Sequence, residues 1–253
     1  MGKIIVFANQ KGGVGKTTSA VNVAAAMGAK GKRVLLVDLD PQGNTSSGVG
    51  INKKNMKLSS YDVLIGRSSA EASIVETDYP NLSVMPSNIS LAGAEFELVT
   101  HEKREDRLKN ALMLVKDSYD YIFIDCPPSL GILTVNALTA SDGVIVPMQC
   151  EYYSMEGLSQ LLHTIRTCKR LYNPQLELLG ILITMYNGRL NLSGQVMTEL
   201  KKYYAAKLFK TTILRNVRLS EAPSYGMPII YYDKHCKGTE AYMSVTDEIL
   251  ERM

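Results

Sequence analysis

The stretch NQKGGVGKTTSA, residues 9–20, decides what kind of sheet this chain builds. It follows the apolar run KIIVFA (3–8) and opens a segment of helical spacing, which is the strand, loop, helix setting of a phosphate-binding loop. That loop normally reads Gly-x-x-x-x-Gly-Lys-[Ser/Thr]. Here Gln10 stands in place of its first glycine, and a second lysine, Lys11, sits beside it. Gly12, Gly13 and Gly15, with Val14 among them, can still aim backbone N–H groups at phosphate oxygens, helped by the positive end of the following helix. Lys16 is the point charge for the β and γ phosphates, Thr17 the hydroxyl for Mg2+, and Thr18 a contact for the α phosphate.

Working outward from the loop, further short β-branched runs alternate with helical stretches: RVLLVD (33–38), NLSVMP (81–86), YIFID (121–125), GVIVPM (143–148), LGILITM (179–185) and TTIL (211–214). Strands this uniformly apolar are expected where both sheet faces are covered. Residues 17–29, 104–118, 154–171 and 191–206 read as helices, the third spaced by Leu158, Leu161, Leu162 and Ile165. The expected architecture is a single α/β domain over residues 1–253. It is a three-layer P-loop NTPase fold, a mostly parallel twisted sheet of about seven to eight strands with helices on both faces. Residues 42–60, rich in Gly, Ser, Asn and Lys, read as a mobile surface connection, and 215–240 as an irregular segment returning to the core.

Composition narrows the class without naming a partner. Basic and acidic residues number 28 and 25, for a net charge of +3. Cys126, Cys150, Cys168 and Cys236 form no Cys-x-x-Cys pair and have no histidine set for zinc, so a reducing cytoplasmic setting is expected. No apolar run approaches a membrane span, and the N-terminus shows no cleavable signal pattern.

Three carboxylates complete the phosphate chemistry. VDLDPQ closes the second strand with Asp38 and Asp40, and YIFIDCPP closes another with Asp125, so all three leave the C-terminal sheet edge, where α/β folds bind ligands. Asp125, after four apolar or aromatic residues, fits the aspartate that holds Mg2+ through its water shell, with Asp38 beside it. Asp40 is left to position or deprotonate an attacking water. Capping of the turn before Pro41 is the alternative role for Asp38 and Asp40. No Asn-Lys-x-Asp string follows a strand, which favours ATP over GTP; the nearest, NKKN (52–55), lacks the aspartate.

KGGVGKTT (11–18), VDLDPQGN (37–44), DCPPSLG (125–131) and NVRLSEAPS (216–224) resemble the ParA family of DNA-partitioning ATPases, and most of all its chromosomal Soj-type branch. The likeness also takes in LAGAEFELV (91–99), NALTASD (136–142) and QCEYYSMEGLSQLL (149–162), nearly the whole chain. In that family the loop is a deviant Walker A built around Lys-Gly-Gly-x-Gly-Lys, so Gln10 is no defect. The resemblance implies that Lys11 reaches across a nucleotide-sandwich homodimer to the partner's phosphates. Electrostatics agrees, since a lysine beside Lys16 is repelled by it unless it points across an interface at phosphate charge. Gly12 must then stay small where two backbones converge, and hydrolysis weakens the bridge by removing the γ phosphate.

The resemblance further implies that a segment after the last strand reads the base, usually through a proline followed two residues later by asparagine. Here it reads ILRN (213–216), with Asn216 present and Leu214 where proline is usual, which leaves Leu214 a backbone contact. Met185 either packs on adenine or simply ends a buried strand. Arg189 and Arg218 resemble arginines that family members turn toward DNA. Between 189 and 218 stand Arg189, Lys201, Lys202, Lys207, Lys210, Arg215 and Arg218 against Glu199 alone, so this segment carries +6 and the rest of the chain −3. Such concentration suits non-specific double-stranded DNA, and no helix-turn-helix precedes the ATPase core to read an operator. The implied partner is a ParB/Spo0J-type centromere-binding protein that stimulates hydrolysis, and the implied location is the nucleoid.

Two other readings share the loop. A membrane-positioning ATPase of the MinD type would end in a basic amphipathic helix, whereas AYMSVTDEILERM (241–253) carries Asp247, Glu248 and Glu251 against Arg252 and reads as a helix docked on the core, with no membrane contact. An iron–sulfur reductase related to nitrogenase iron protein would need cysteines at positions that Cys126 and Cys150 do not occupy.

Overall fold

The computed structural model describes residues 2–253. Seven strands form its sheet: β1 (Lys3–Phe7), β2 (Val34–Asp38), β3 (Val75–Glu76), β4 (Leu82–Met85), β5 (Tyr121–Asp125), β6 (Gly143–Met148) and β7 (Glu177–Ile183). Their spatial order is β3-β4-β2-β5-β1-β6-β7, parallel throughout except for β3, which runs antiparallel to β4 at the edge. Alternation along each strand sends Ile4 and Val6 into one core layer and Ile5 and Phe7 into the other, all of them buried.

The helices are α1 (Lys16–Ala29), α2 (Asn44–Gly48), α3 (Ser60–Leu64), α4 (Ala70–Ser73), α5 (Leu91–Glu97), α6 (Arg107–Met113), α7 (Ile132–Ala140), α8 (Ser154–Leu171), α9 (Asn191–Tyr204), α10 (Val217–Glu221), α11 (Ile229–Tyr232) and α12 (Lys237–Arg252). One face of the sheet carries α1, α11 and α12; the other carries α3 and α5 to α9. Leu158, Leu161, Leu162 and Ile165 are buried, as the spacing of α8 requires. Helix α12 lies along α1 with Tyr242, Val245 and Ile249 buried, and the Tyr242 hydroxyl meets Ser19 Oγ at 3.1 Å. Its apolar stripe is therefore consumed by the core.

Four expectations need correction. TTIL is no strand: the Lys210 and Thr211 amides turn aside to the Glu248 carboxylate at 2.7 and 2.8 Å, so Leu208 and Leu214 make only isolated bridges to Ile181 and Tyr186. β3 takes its place in the count, two exposed residues too short to show a period. The 104–118 run is broken rather than one helix, because buried Asn136 accepts the Leu108 N–H at 3.1 Å and donates to the Arg104 carbonyl at 2.8 Å, which starts α6 afresh. Residues 42–60 are not a loose connection, since α2 buries Thr45 and Ser46 completely. The 215–240 segment does return to the core, but as α10, a 3-10 turn and α11 rather than as irregular chain.

Helix α1 passes so close to the turn before β4 that a Cβ on Gly28 would sit 2.5 Å from the Pro80 carbonyl oxygen. The same substitution on Gly194, in the exposed face of α9, meets nothing within 4 Å. Gly194→Ala is expected to raise stability by roughly 0.5–1 kcal/mol through helix propensity, and Gly28→Ala to lower it by about 1–3 kcal/mol through overpacking. Urea denaturation of both variants checks this, and a common sign of the two changes would contradict the packing described.

Candidate active site

The C-terminal ends of β1, β2, β5, β6 and β7 deliver one cluster of side chains. In the loop after β1, Gly13 and Gly15 take left-handed φ values of 73° and 83°, which an L side chain would resist. Gln149 Nε2 donates to the Gly13 carbonyl at 2.8 Å, and Thr184 Oγ1 to the Val14 carbonyl at 2.7 Å. Because each peptide is planar and trans, pulling those carbonyls toward β6 and β7 turns the Val14 and Gly15 N–H groups the opposite way. The loop is thus held with its donors outward before any anion arrives.

The two lysines are handled differently. Lys16 is 6% exposed, and its ammonium donates to the Lys11 carbonyl at 3.0 Å; burial lowers its pKa, against the opposing pull of Asp125. Lys11 has its backbone fixed by Asn9, whose Oδ1 accepts the Lys11 N–H at 3.0 Å, while its side chain leaves the loop and pairs with Glu151 on the surface beyond β6. A Cβ added at Gly12 would find only Pro128, at an ordinary 3.8 Å. Nothing within the chain itself demands a glycine there.

The register of β2 and β5 sets Asp38 directly opposite Asp125. Asp125 is fully buried, and its Oδ2 accepts the Thr17 hydroxyl at 2.7 Å and the Thr45 hydroxyl at 2.6 Å, while Oδ1 has no hydrogen-bond partner. Burial lifts its pKa to about 6, with the two hydroxyls and Lys16 pulling the other way. Asp38 is lifted to about 7 by burial and then by the charge of Asp125. Both Asp38 oxygens are engaged: Oδ1 by the Asp40 N–H at 3.1 Å, Oδ2 by the N–H and hydroxyl of Ser46 at 2.8 and 2.7 Å. Asp40 accepts the Gln42 N–H at 2.9 Å through Oδ1. A hard divalent cation fits this donor set, since the orphaned Asp125 Oδ1 lacks a positive partner and Thr17 offers a hydroxyl beside it. Among the described residues no group of three or more His, Cys, Asp or Glu is placed to hold a metal ion.

At the other end of the loop, Met185 takes φ 49° and its sulfur accepts from Gln149 at 3.3 Å. Leu214 bridges Tyr186, one residue on, so residues 213–216 lie beside the chain that leaves β7. Asn216 caps α10, its Oδ1 accepting the Arg218 N–H at 2.8 Å. A cavity of about 410 Å³ lies between Thr17 and Thr18 on one side and Leu219, Pro223 and Ser224 on the other.

The basic run is not one patch. Arg189 precedes α9, while Lys201 and Lys202 lie in its last turn, at the other edge of the sheet, with Lys210 beyond them. Arg218 is paired with Glu221 at 3.0 Å and Asp233 at 3.6 Å. No motif in the sequence marks Thr45, Ser46, Gln149 or Thr184 as a site residue. Thr184 alone left a signal there, as a hydroxyl closing an apolar strand; the others carry no periodicity.

The AAA domain family matches residues 2–178. Over 249 residues the chain is 56% identical to sporulation initiation inhibitor protein Soj of Bacillus subtilis (strain 168), covering 98% of each. It is 49% identical to chromosome partitioning protein ParA of Myxococcus xanthus (strain DK1622), covering 100% of this chain and 89% of that one. Among solved structures, cobyrinic acid a,c-diamide synthase from Mycobacterium smegmatis with bound ADP and magnesium superposes with TM-score 0.87 at 39% identity, covering 99% of this chain and 95% of that chain. With its deviant phosphate loop and full-length similarity, the chain belongs to the ParA/Soj family of partitioning ATPases.

Proposed function

We propose that this ATPase works as an ATP-driven DNA partitioning switch. Mg-ATP joins two copies as a sandwich, the dimer binds duplex DNA without sequence preference, and hydrolysis, stimulated by a ParB/Spo0J-type partner, releases it. The observation that carries this reading is the division of labour between the lysines: Lys16 stays on its own loop, while Lys11 projects outward onto Glu151. An outward cation, next to a glycine that its own subunit does not need, suits contact with a second copy's phosphates. Gly13, Val14, Gly15 and Thr18 would hold the phosphates by N–H groups, and Lys16 the β and γ oxygens. Mg2+, held by Thr17 and, through water, by Asp125 with Asp38 beside it, would neutralise phosphate charge. Asp38 positions α2 through Ser46, and Asp40 orients the attacking water. Asn216 and Leu214 read the base beside Met185. Arg189 and, once freed from its acids, Arg218 face DNA together with Lys201, Lys202 and Lys210. DNA binding would place the protein on the nucleoid.

The synthase reading suggested by one neighbour's name has less behind it, since that neighbour is 39% identical and the partitioning relatives reach 49% and 56%. A membrane-positioning role would need a free amphipathic C-terminal helix, whereas α12 packs Tyr242, Val245 and Ile249 into the core against α1.

Co-sedimentation with a non-specific duplex in ATP, ADP or no nucleotide tests the switch. ATP alone should drive binding. Lys16→Ala should abolish it by removing nucleotide, and Lys11→Ala should keep ATP binding yet lose both dimer and DNA. Asp40→Ala should trap the bound state, with turnover down at least about 100-fold. DNA binding indifferent to nucleotide would sink the proposal.

Thr184→Val removes the hydroxyl that turns the Val14 peptide. Its expected effect is about tenfold weaker binding of ADP and ATP alike, read by calorimetry, with kcat at saturation nearly unchanged.

A pH dependence follows from the buried carboxylates. Folded pKa values of about 6 for Asp125 and about 7 for Asp38 exceed the ordinary value near 3.9, so the native state binds extra protons between those limits. Stability of the nucleotide-free protein is then highest below about pH 4 on this account and falls as pH rises toward 7. Asp125→Asn should flatten that fall, gaining on the order of 2 kcal/mol relative to wild type between pH 5 and pH 8. Parallel melting curves for the two proteins would count against the buried-charge account.

A further inference from the structure

Three cations outside the 189–218 run stand on the exposed side of α8: Arg166, Lys169 and Arg170. None makes an ion pair among the described residues. Lys169 and Arg170 sit in the last turn, where the helix dipole by itself favours positive charge. Arg166 is a turn earlier and four residues from Arg170, a like-charge spacing that weakens a helix. Helix geometry alone therefore gives no reason for it.

The topology supplies one. Helix α8 leaves the C-terminal edge after β6 and returns to the edge where β7 begins, and α9 makes the same return after β7. The two last turns meet at a groove of about 360 Å³ lined by four aliphatic side chains and Tyr204, with Arg166, Lys169, Lys207 and Glu177 as its charged members. Arg252 stiffens one wall by donating to the carbonyls of Lys207 and Leu208 at 3.3 and 2.6 Å. With Lys201 and Lys202, six cations gather at this end of the molecule beside Arg252; the acids there include Glu177, Glu199 and Glu248, the last paired with Arg252. Arg189 lies a helix length away, about 20 Å for α9, or roughly six phosphate intervals along one DNA strand.

We propose that the C-terminal half of α8, with Lys207, is a second phosphate-tracking pole for duplex DNA. A duplex lying along α9 engages this pole and the Arg189 end together. The inference rests on the DNA-binding reading above and extends it to residues outside the basic run. The occupant is a polyphosphate backbone because the pole offers exposed positive charge on flexible stems, unpaired among the described residues.

The test is the salt dependence of binding to a mixed-sequence duplex of about 24 base pairs by the ATP-loaded full chain. Each phosphate contact contributes about 0.9 to the slope of log K against log salt. Arg166→Ala/Lys169→Ala/Arg170→Ala should lower that slope by about 2–3 and weaken binding at least tenfold at low salt, equally for unrelated sequences. Arg166→Lys/Arg170→Lys should retain the wild-type slope, because lysine neutralises phosphate equally well, and Lys54→Ala, an exposed cation elsewhere, should change nothing. Melting midpoints check that the variants fold, and Arg166→Ala alone, expected to remove about 0.9 of slope, replaces the triple variant if it does not. If wild type binds DNA and the alanine variants keep its slope, the second pole is wrong while DNA binding stands. Failure of wild type to bind in any nucleotide state overturns both.

Discussion

The buried carboxylate of Asp125 is the constraint on which the rest of the site hangs. It ends β5 at the centre of the sheet, takes one hydroxyl from the first turn of α1 and another from α2, and leaves its second oxygen without a partner. A charge so placed is unfavourable unless something positive joins it, which burial expresses as a pKa lifted to about 6. Phosphate loop, α2 and β5 are therefore tied through one atom, Oδ2. Whatever satisfies Oδ1 acts on all three.

Beside it, Asp38 does quieter work. Its two oxygens fasten Ser46 and the Asp40 amide, and Ser46 Oγ in turn accepts the Ser87 N–H at 2.9 Å. The chain beyond Asp40 is thereby folded back over the site rather than released into solvent. A segment that is polar by composition becomes interior, because its hydroxyls and amides hydrogen-bond two buried carboxylates at the sheet edge.

Charge organises the outer surface as well. Lys16 is drawn inward and Lys11 outward from the same loop, so one short sequence serves a private and an exposed role. Farther out, a basic run that looks continuous is divided between opposite sheet edges by α9, and part of its charge is already answered by Glu221 and Asp233. The three cations of α8 fall outside that run in sequence and beside half of it in space.

What the sequence by itself determined was the class of fold and the phosphate chemistry. Both are local: alternating apolar runs report covered strands, and a glycine-rich strand-to-helix turn with Lys16 and Thr17 carries its geometry within ten residues. Only the tertiary structure decided which groups back them. Thr184 and Gln149 act on the loop from about 135 to 170 positions away, and Thr45 looked like solvent until the register of β2 and β5 placed Asp125 above it. TTIL had the composition of a strand and lost its ladder to a carboxylate on the last helix. Hydrogen bonds between distant residues leave no periodicity in the chain, so no local pattern announces them; they exist only once packing has brought their partners together.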